Sequence, residues 1–253
     1  MYSFLHELLS DKKGREIFEL FGPWHFFYIL LTLVVTVVVV LQGRGEGAGR
    51  FSDLAFGLYI LDLFLMPLAY GEIDVEKLPF HACTAMCVMG FLSRRAARLE
   101  RYRSSIAMLG FVSNLVYLIY PAGVMWHGVH PLSYRVIQTL VFHGVMTVAC
   151  FLELLYEPEA GSSRRDLTVI AAMTAWAMLG NACYNSESRF YNWFFVVRDP
   201  FYLLPESIAT FVMPLLNVAL FFAVETAEWN FCGLQIQVSA RQTSRTECPW
   251  SLH

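Results

Sequence analysis

Long apolar segments alternate with short polar ones along most of the chain. Seven of these segments approach the roughly 20 apolar residues that a helix needs to cross a bilayer, at about 24–41, 51–70, 78–93, 104–122, 136–156, 166–185 and 205–226. The connections between them are too short to form separate domains. The pattern predicts an all-α, polytopic membrane protein with seven transmembrane helices.

The two ends of the chain differ from this pattern. Residues 1–22 carry apolar side chains on one side of a helical repeat and basic ones beyond, which is typical of an amphipathic helix that lies in the membrane interface. Residues 228–253 are polar. We therefore expect one transmembrane domain over 1–227 and a polar cytoplasmic tail over 228–253.

Basic residues are distributed unevenly between the two sides of the membrane. The segments 42–50, 94–103, 157–165 and the tail hold eleven arginines, five of them in the run SRRAARLERYR, whereas the other side holds seven basic residues. Lys and Arg accumulate in short cytoplasmic loops. The chain is therefore predicted to lie in the cell membrane with its N-terminus outside and its C-terminus in the cytoplasm.

Composition narrows the possible partners. Charged residues make up 15% of the chain, against about 25% in soluble domains, and a net charge of −3 provides no basic surface for nucleic acid. The sequence has no motif for haem, flavin or nucleotide. We expect membrane lipids or lipid-like molecules as partners, and no nucleic acid, cofactor or metal.

Several polar residues inside the predicted spans reach a similar depth below the outer surface. At about 1.5 Å of rise per residue, Cys83, Asn114, Asp62 and His143 lie roughly 8–12 Å down, with His25, His81, Asn181 and Glu206 nearer the surface. An aspartate in a span costs about 2.5–3.5 kcal/mol, so Asp62 should face the interior and pair with His143 or His81. The alternative is that this layer only links helices through hydrogen bonds.

The segment LPFHACTAMC carries the most specific chemistry. A cysteine nucleophile needs a nearby base, and His143 is predicted at the depth of Cys83. His81 is two residues from Cys83 and points away from it, whereas Cys87 shares its face. The spacing lacks the paired ligands of a zinc site. Cysteines that only fill apolar space remain the alternative.

Four short motifs connect this chain to a known group of proteins. They are GPWHF at 22–26, LPFHAC at 78–83, NACYN at 181–185 followed by RDP, and a series of Tyr120, Pro121, His130, Pro131, Arg135, Gln138 and His143. The chain resembles the YwaF family of bacterial integral membrane proteins, a branch of the transmembrane protein 164 superfamily.

The resemblance implies a lipid enzyme. Animal relatives are associated with acyl transfer onto lysophospholipids through a cysteine and a histidine, and more distant androgen-induced relatives hydrolyse fatty-acid esters through a threonine and a histidine. By resemblance His143 is the histidine. The animal motif has its cysteine between Pro and His, where this chain has Phe80, and Cys83 follows.

These features favour an acyltransferase or hydrolase acting on lipid acyl esters near the outer leaflet. Cys83 would attack the acyl carbonyl, and His143 would act as the base. Asp62 or Asn181 would orient His143. Asn114 or His81 would donate a hydrogen bond to the oxyanion.

Several polar residues near this level are candidates for binding the substrate. They are Asn114, Asn181, Tyr184, Gln138, Arg135 and His25. The alternatives are a membrane transporter or small-ligand-binding protein with a polar intramembrane site, and an accessory subunit.

Glu153 lies near a cytoplasmic helix end. We expect Arg164 and Arg165 to offset its negative charge.

Overall fold

The computed structural model describes residues 9, 16–42, 47–70, 75–121, 128–156, 163–186 and 219. Its regular elements over these ranges are helices, and no β-strand occurs among them. In chain order they are α1 (Pro23–Leu41), α2 (Gly47–Tyr70), a 3₁₀ turn (Val75–Lys77), α3 (Ala82–Ser93), α4 (Ala97–Glu100), α5 (Arg103–Ile119), α6 (Tyr134–Tyr156) and α7 (Ser163–Tyr184).

The predicted class is confirmed, but the predicted number of spans is confirmed only in part. By length and composition α1, α2, α6 and α7 are able to cross a membrane. α3 has 12 residues and α5 has 17, so α3 is only about 18 Å long. The predicted seventh span, Glu206 and the polar tail at 228–253 lie outside the described residues.

α6 is the central helix of the bundle. In the apolar part of α6, 78% of residues are buried, against 11% in α1. The exposed apolar side chains of α1 include Phe26, Leu30 and Val34, an arrangement that suits contact with lipid. A buried polar site is therefore expected around α6 rather than around α1.

Residues 16–22 lead into α1 as turns rather than as a helix. Phe21 has a left-handed φ of 56°, and Pro23 begins α1, where its missing N–H costs no helical bond. The predicted amphipathic helix therefore does not extend through 16–22, and its first part lies outside the described residues.

The bundle has two ends that matter for the site. The Cys83 end holds the starts of α3 and α6 and the 3₁₀ turn, while the Arg94 end holds α4 and the start of α5. The sequence predicts that the Cys83 end faces outward.

Candidate functional site

His143 lies on α6 and is buried. Its Nδ1 is 2.6 Å from the carbonyl oxygen of Thr139, one turn earlier on the same helix. A carbonyl oxygen only accepts hydrogen bonds, so Nδ1 must carry a proton. In the neutral ring the lone pair then resides on Nε2, which no hydrogen bond reaches from the described part of the chain. His143 is thus held in the tautomer that can accept a proton at Nε2.

Two aromatic rings fix the orientation of this imidazole. Tyr117 of α5 stacks on it with ring centroids 3.9 Å apart and an interplanar angle of 10°. Phe142 meets it edge-on at 5.1 Å. One face of the ring is therefore covered by Tyr117, so His143 cannot turn about its side-chain bonds without losing this contact.

Cys83 lies in the first turn of α3 and is partly exposed. Its thiol donates a hydrogen bond to the carbonyl oxygen of Ser113, with a sulfur–oxygen distance of 3.7 Å. Ser113 and Tyr117 are four residues apart on α5 and so share one face of that helix. Cys83 and His143 therefore contact the same side of α5, about one helical turn apart.

The structure does not join Cys83 and His143 directly. The hydrogen bond of the thiol goes to Ser113 instead, and no hydrogen bond between the two predicted partners occurs in the described ranges. Equal depth and a shared face of α5 therefore do not produce a formed thiol–imidazole pair in this structure. A backbone carbonyl on α5 competes for the thiol proton, and no sequence pattern reveals that carbonyl.

Asp62 on α2 is almost completely buried, but its partners are not the predicted histidines. Its Oδ2 lies 3.0 Å from the Nζ of Lys77, and its Oδ1 accepts a hydrogen bond of 3.0 Å from the Tyr134 hydroxyl. Both carboxylate oxygens are thus satisfied. The prediction that Asp62 pairs with His143 or His81 is wrong for this conformation, because the long lysine side chain reaches in from the 3₁₀ turn.

Gln138 connects this ion pair to the helix that carries His143. Its Oε1 lies 3.4 Å from Lys77 Nζ and also accepts a hydrogen bond of 3.3 Å from the Thr139 hydroxyl. Thr139 in turn supplies the carbonyl that fixes His143. The predicted substrate-binding residue Gln138 is therefore part of a polar network around α6.

His25 is fully buried, and both of its ring nitrogens are used by the backbone. Nε2 donates to the carbonyl of Leu118 at 2.7 Å, and Nδ1 accepts from the Phe21 amide at 3.0 Å. The ring thus ties the start of α1 to the end of α5. The predicted role in substrate binding does not fit, because no ring nitrogen is left for a ligand.

The two predicted asparagines bond mainly to their own helices. Asn114 donates to the Gly110 carbonyl at 2.7 Å, and Asn181 donates to the Ala177 carbonyl at 2.9 Å. Asn114 has 0% exposure, and its Oδ1 has no hydrogen-bond partner among the described residues. Neither residue orients the His143 ring, whose Nδ1 bonds to Thr139.

His81, Arg135 and Tyr184 occupy the rim of the Cys83 end. His81 is the N-cap residue of α3, and its carbonyl accepts a hydrogen bond from the Ala85 amide at 2.9 Å. Arg135 is partly buried in the first turn of α6. Tyr184 is 40% exposed at the end of α7. All three lie near helix ends.

Phe80, which stands where the animal relatives have cysteine, points toward α7. Its ring stacks with Trp176 at 5.0 Å and lies 5.8 Å from the Tyr184 ring. A methyl group at Gly180 would lie 2.5 Å from the Phe80 ring, so only glycine leaves room for it. Position 80 therefore anchors a loop in this chain.

Cys87 and Cys150 are core residues. Both are buried in a cluster with Ala55, Met108 and Met146.

In the part of the chain that the structure describes, no group of three His, Cys, Asp or Glu residues is arranged to hold a metal ion.

At the Arg94 end, Glu153 pairs with Arg94 and Arg103. The prediction that Arg164 and Arg165 offset Glu153 is therefore wrong. Arg94 directly follows α3 and Arg103 begins α5, so the helix ends bring both guanidinium groups to Glu153 on α6.

Residues that the sequence reasoning missed complete the site, namely Lys77, Tyr134, Tyr117, Thr139 and Ser113. A signal for Tyr117 was present, since it lies in a predicted span at the depth of His143. Lys77 is a basic residue just before LPFHAC, where a long side chain is able to follow the protein surface inward.

Residues 20–224 match the model of the TMEM164 family, which covers most of the chain. The protein therefore belongs to the TMEM164 family of membrane proteins, as the motifs predict. No curated protein and no solved structure matches the chain.

Proposed function

We propose that this protein acts on acyl esters of membrane lipids, with His143 as general base and acid and Cys83 as nucleophile. The observation that carries the proposal is the fixed His143 tautomer. Its Nε2 accepts no hydrogen bond from the described residues, and its ring contacts α5 one helical turn from the contact of Cys83. With the predicted orientation, the reaction takes place near the outer leaflet.

The proposed reaction has two balanced steps. Cys83 Sγ attacks the ester carbonyl while its proton passes to His143 Nε2. The tetrahedral intermediate then breaks its carbon–oxygen bond, and the departing alkoxide takes the proton back from Nε2, which leaves a thioester on Cys83. A lipid hydroxyl or water then attacks the thioester carbonyl and gives its proton to Nε2. The carbon–sulfur bond breaks, and the departing thiolate takes that proton from Nε2, which restores the Cys83 thiol and releases the new ester or the fatty acid.

Substrate entry must release the Cys83 thiol from Ser113. A thiol–carbonyl hydrogen bond is weak, so rotation of the side chain toward His143 costs little compared with the new contact. Asn114, next to Ser113 in the chain, uses one amide N–H for Gly110 and keeps a second for the oxyanion. His81, two residues before Cys83, is the other proposed donor.

The test is acyl release and acyl transfer by the purified protein in lipid nanodiscs. We expect His143→Ala to lower kcat by about 10²–10⁴-fold, the usual contribution of a proton-transferring group, and Cys83→Ala to abolish the reaction through the thioester. Cys87→Ala is the matched control, because Cys87 lies one turn further on the same face of α3 and is a core residue. If the Cys83 and His143 variants match the wild type, this mechanism is wrong.

A second candidate is a protein that binds a small ligand without chemistry. It is favoured by one observation, the hydrogen bond of the Cys83 thiol to Ser113 rather than to His143. Under this alternative a lipid-like ligand still binds to the Cys83→Ala variant, and no acyl group is released by the wild type. Measuring ligand binding and acyl release on the same preparations separates the two.

A further inference from the structure

We infer that Lys77 is a positioning residue, which holds the segment 75–81 and thereby sets the distance between Cys83 and His143. The inference deepens the proposed function and rests on it. Neither Lys77 nor Tyr134, which both contact Asp62, is among the site residues that the sequence predicts. The segment, called the strap, runs from the 3₁₀ turn to the residue before α3.

The strap is fixed on one side through Lys77. Lys77 Nζ lies 3.0 Å from Asp62 of α2 and 3.4 Å from Gln138 of α6. The Tyr59 hydroxyl of α2 donates to the Lys77 carbonyl at 3.0 Å. Both the side chain and the backbone of Lys77 are therefore held by the helices that surround the site.

The strap is fixed on its other side to α7. The Trp176 indole N–H donates to the Pro79 carbonyl at 2.7 Å, and Phe80 fills the space above Gly180. These contacts hold the strap against α7. Lys77 Nζ reaches Gln138 and so connects the strap to α6.

This connection matters because it joins the two proposed catalytic residues. Cys83 follows Lys77 by six residues, and Gln138 precedes His143 by five on α6. A displacement of the strap would move the start of α3, and with it the thiol, relative to the imidazole. Misplacement of a reacting group by about 1 Å can cost about a hundredfold in rate.

Stability and positioning can be separated at this ion pair. Asp62 is 1% exposed, so removing Lys77 alone leaves a buried carboxylate without its counter-charge and destabilises the protein. Replacing both partners by apolar residues removes that penalty and often restores stability. It does not restore the link from the strap to Gln138.

The experiment measures alkylation of Cys83 by a small maleimide in a Cys183→Ser, Cys232→Ser, Cys248→Ser background. The variants are Lys77→Met, Lys77→Met with Asp62→Leu, and Lys77→Arg, each followed by thermal unfolding and acyl kinetics. The matched control is Asp53→Asn with Arg95→Gln, which removes an exposed ion pair of 2.8 Å at the Arg94 end.

We expect the double variant to regain the thermal midpoint that Lys77→Met loses. Its Cys83 is still alkylated about tenfold faster than in the wild type, because the strap opens more easily. kcat falls about a hundredfold while KM stays within about twofold. Lys77→Arg and the control pair keep the wild-type alkylation rate.

If the double variant regains the thermal midpoint, the alkylation rate and kcat together, Lys77 only stabilises the fold and the inference is wrong. If the wild type shows no acyl chemistry, the proposed function fails on that readout alone. The alkylation rate still decides whether Lys77 positions Cys83.

Discussion

Glu153 and Asp62 are buried carboxylates at opposite ends of the bundle, and they are held in different ways. At the Arg94 end, Glu153 of α6 pairs with Arg94 and Arg103, which flank the connection between α3 and α5. At the Cys83 end, Asp62 of α2 receives Lys77 and the Tyr134 hydroxyl. One carboxylate ties helix ends together, whereas the other holds the strap.

The two carboxylates also have different surroundings. A cavity of about 20 Å³ lies beside Glu153, lined by Ser52, Ser93 and Cys150, and is large enough for one water molecule. The Asp62 pair instead leads through Gln138 and Thr139 to the ring of His143. Similar ionic chemistry therefore stabilises the bundle at one end and arranges the candidate site at the other.

The largest expected effect tests the stabilising end. Glu153→Ala leaves two arginines without their shared carboxylate, and we expect it to lower the free energy of unfolding by about 3–5 kcal/mol. Glu100→Ala, at an exposed position of α4, is the control and should change it by less than about 0.5 kcal/mol. Unfolding in mixed micelles measures both. If the two variants lose the same free energy of unfolding, the Glu153 cluster does not hold the bundle together.

An intermediate effect is expected where the strap meets α7. Gly180→Ala forces a methyl group against Phe80 and should cost about 1–3 kcal/mol through overpacking. Gly57→Ala is the matched change, since nothing lies within 4 Å of a Cβ there. It should be neutral or stabilise by about 0.5–1 kcal/mol. A stabilised Gly180→Ala variant would mean that Phe80 does not occupy this space.

The smallest expected effect concerns the ring that covers His143. Tyr117→Leu removes the stacked pair and should cost about 0.5–1.5 kcal/mol, whereas Tyr117→Phe keeps the pair and should cost less. The nitrogen chemical shifts of the His143 ring provide a second readout. We expect a protonated Nδ1 in the wild type and in Tyr117→Phe, and a protonated Nε2 in either would contradict the site geometry.

The helices and the general neighbourhood of the site follow from sequence because their causes are local. Apolar length gives α1 and α6 to within a few residues, and Pro23 marks the start of α1. The rise per residue brings Cys83 and His143 to similar depth, and both contact one face of α5.

The specific pairs do not follow from sequence because they depend on how connections fold. The sequence places Lys77 only in a connection between two predicted spans, and its reach to Asp62 depends on the 3₁₀ turn. Glu153 receives Arg94 and Arg103, on either side of α4, rather than Arg164 and Arg165 in the first turn of α7. The direction of Phe80 depends on the absence of a side chain at Gly180, a hundred residues further along the chain.

The most direct measurement is intact-protein mass spectrometry after brief incubation with a lipid acyl ester. Our account expects one acyl group bound as a thioester to Cys83 in the wild type and in Cys87→Ala, with no adduct in Cys83→Ala and strongly slowed formation in His143→Ala. An absent adduct in the wild type, or equal formation without His143, would contradict the proposed chemistry.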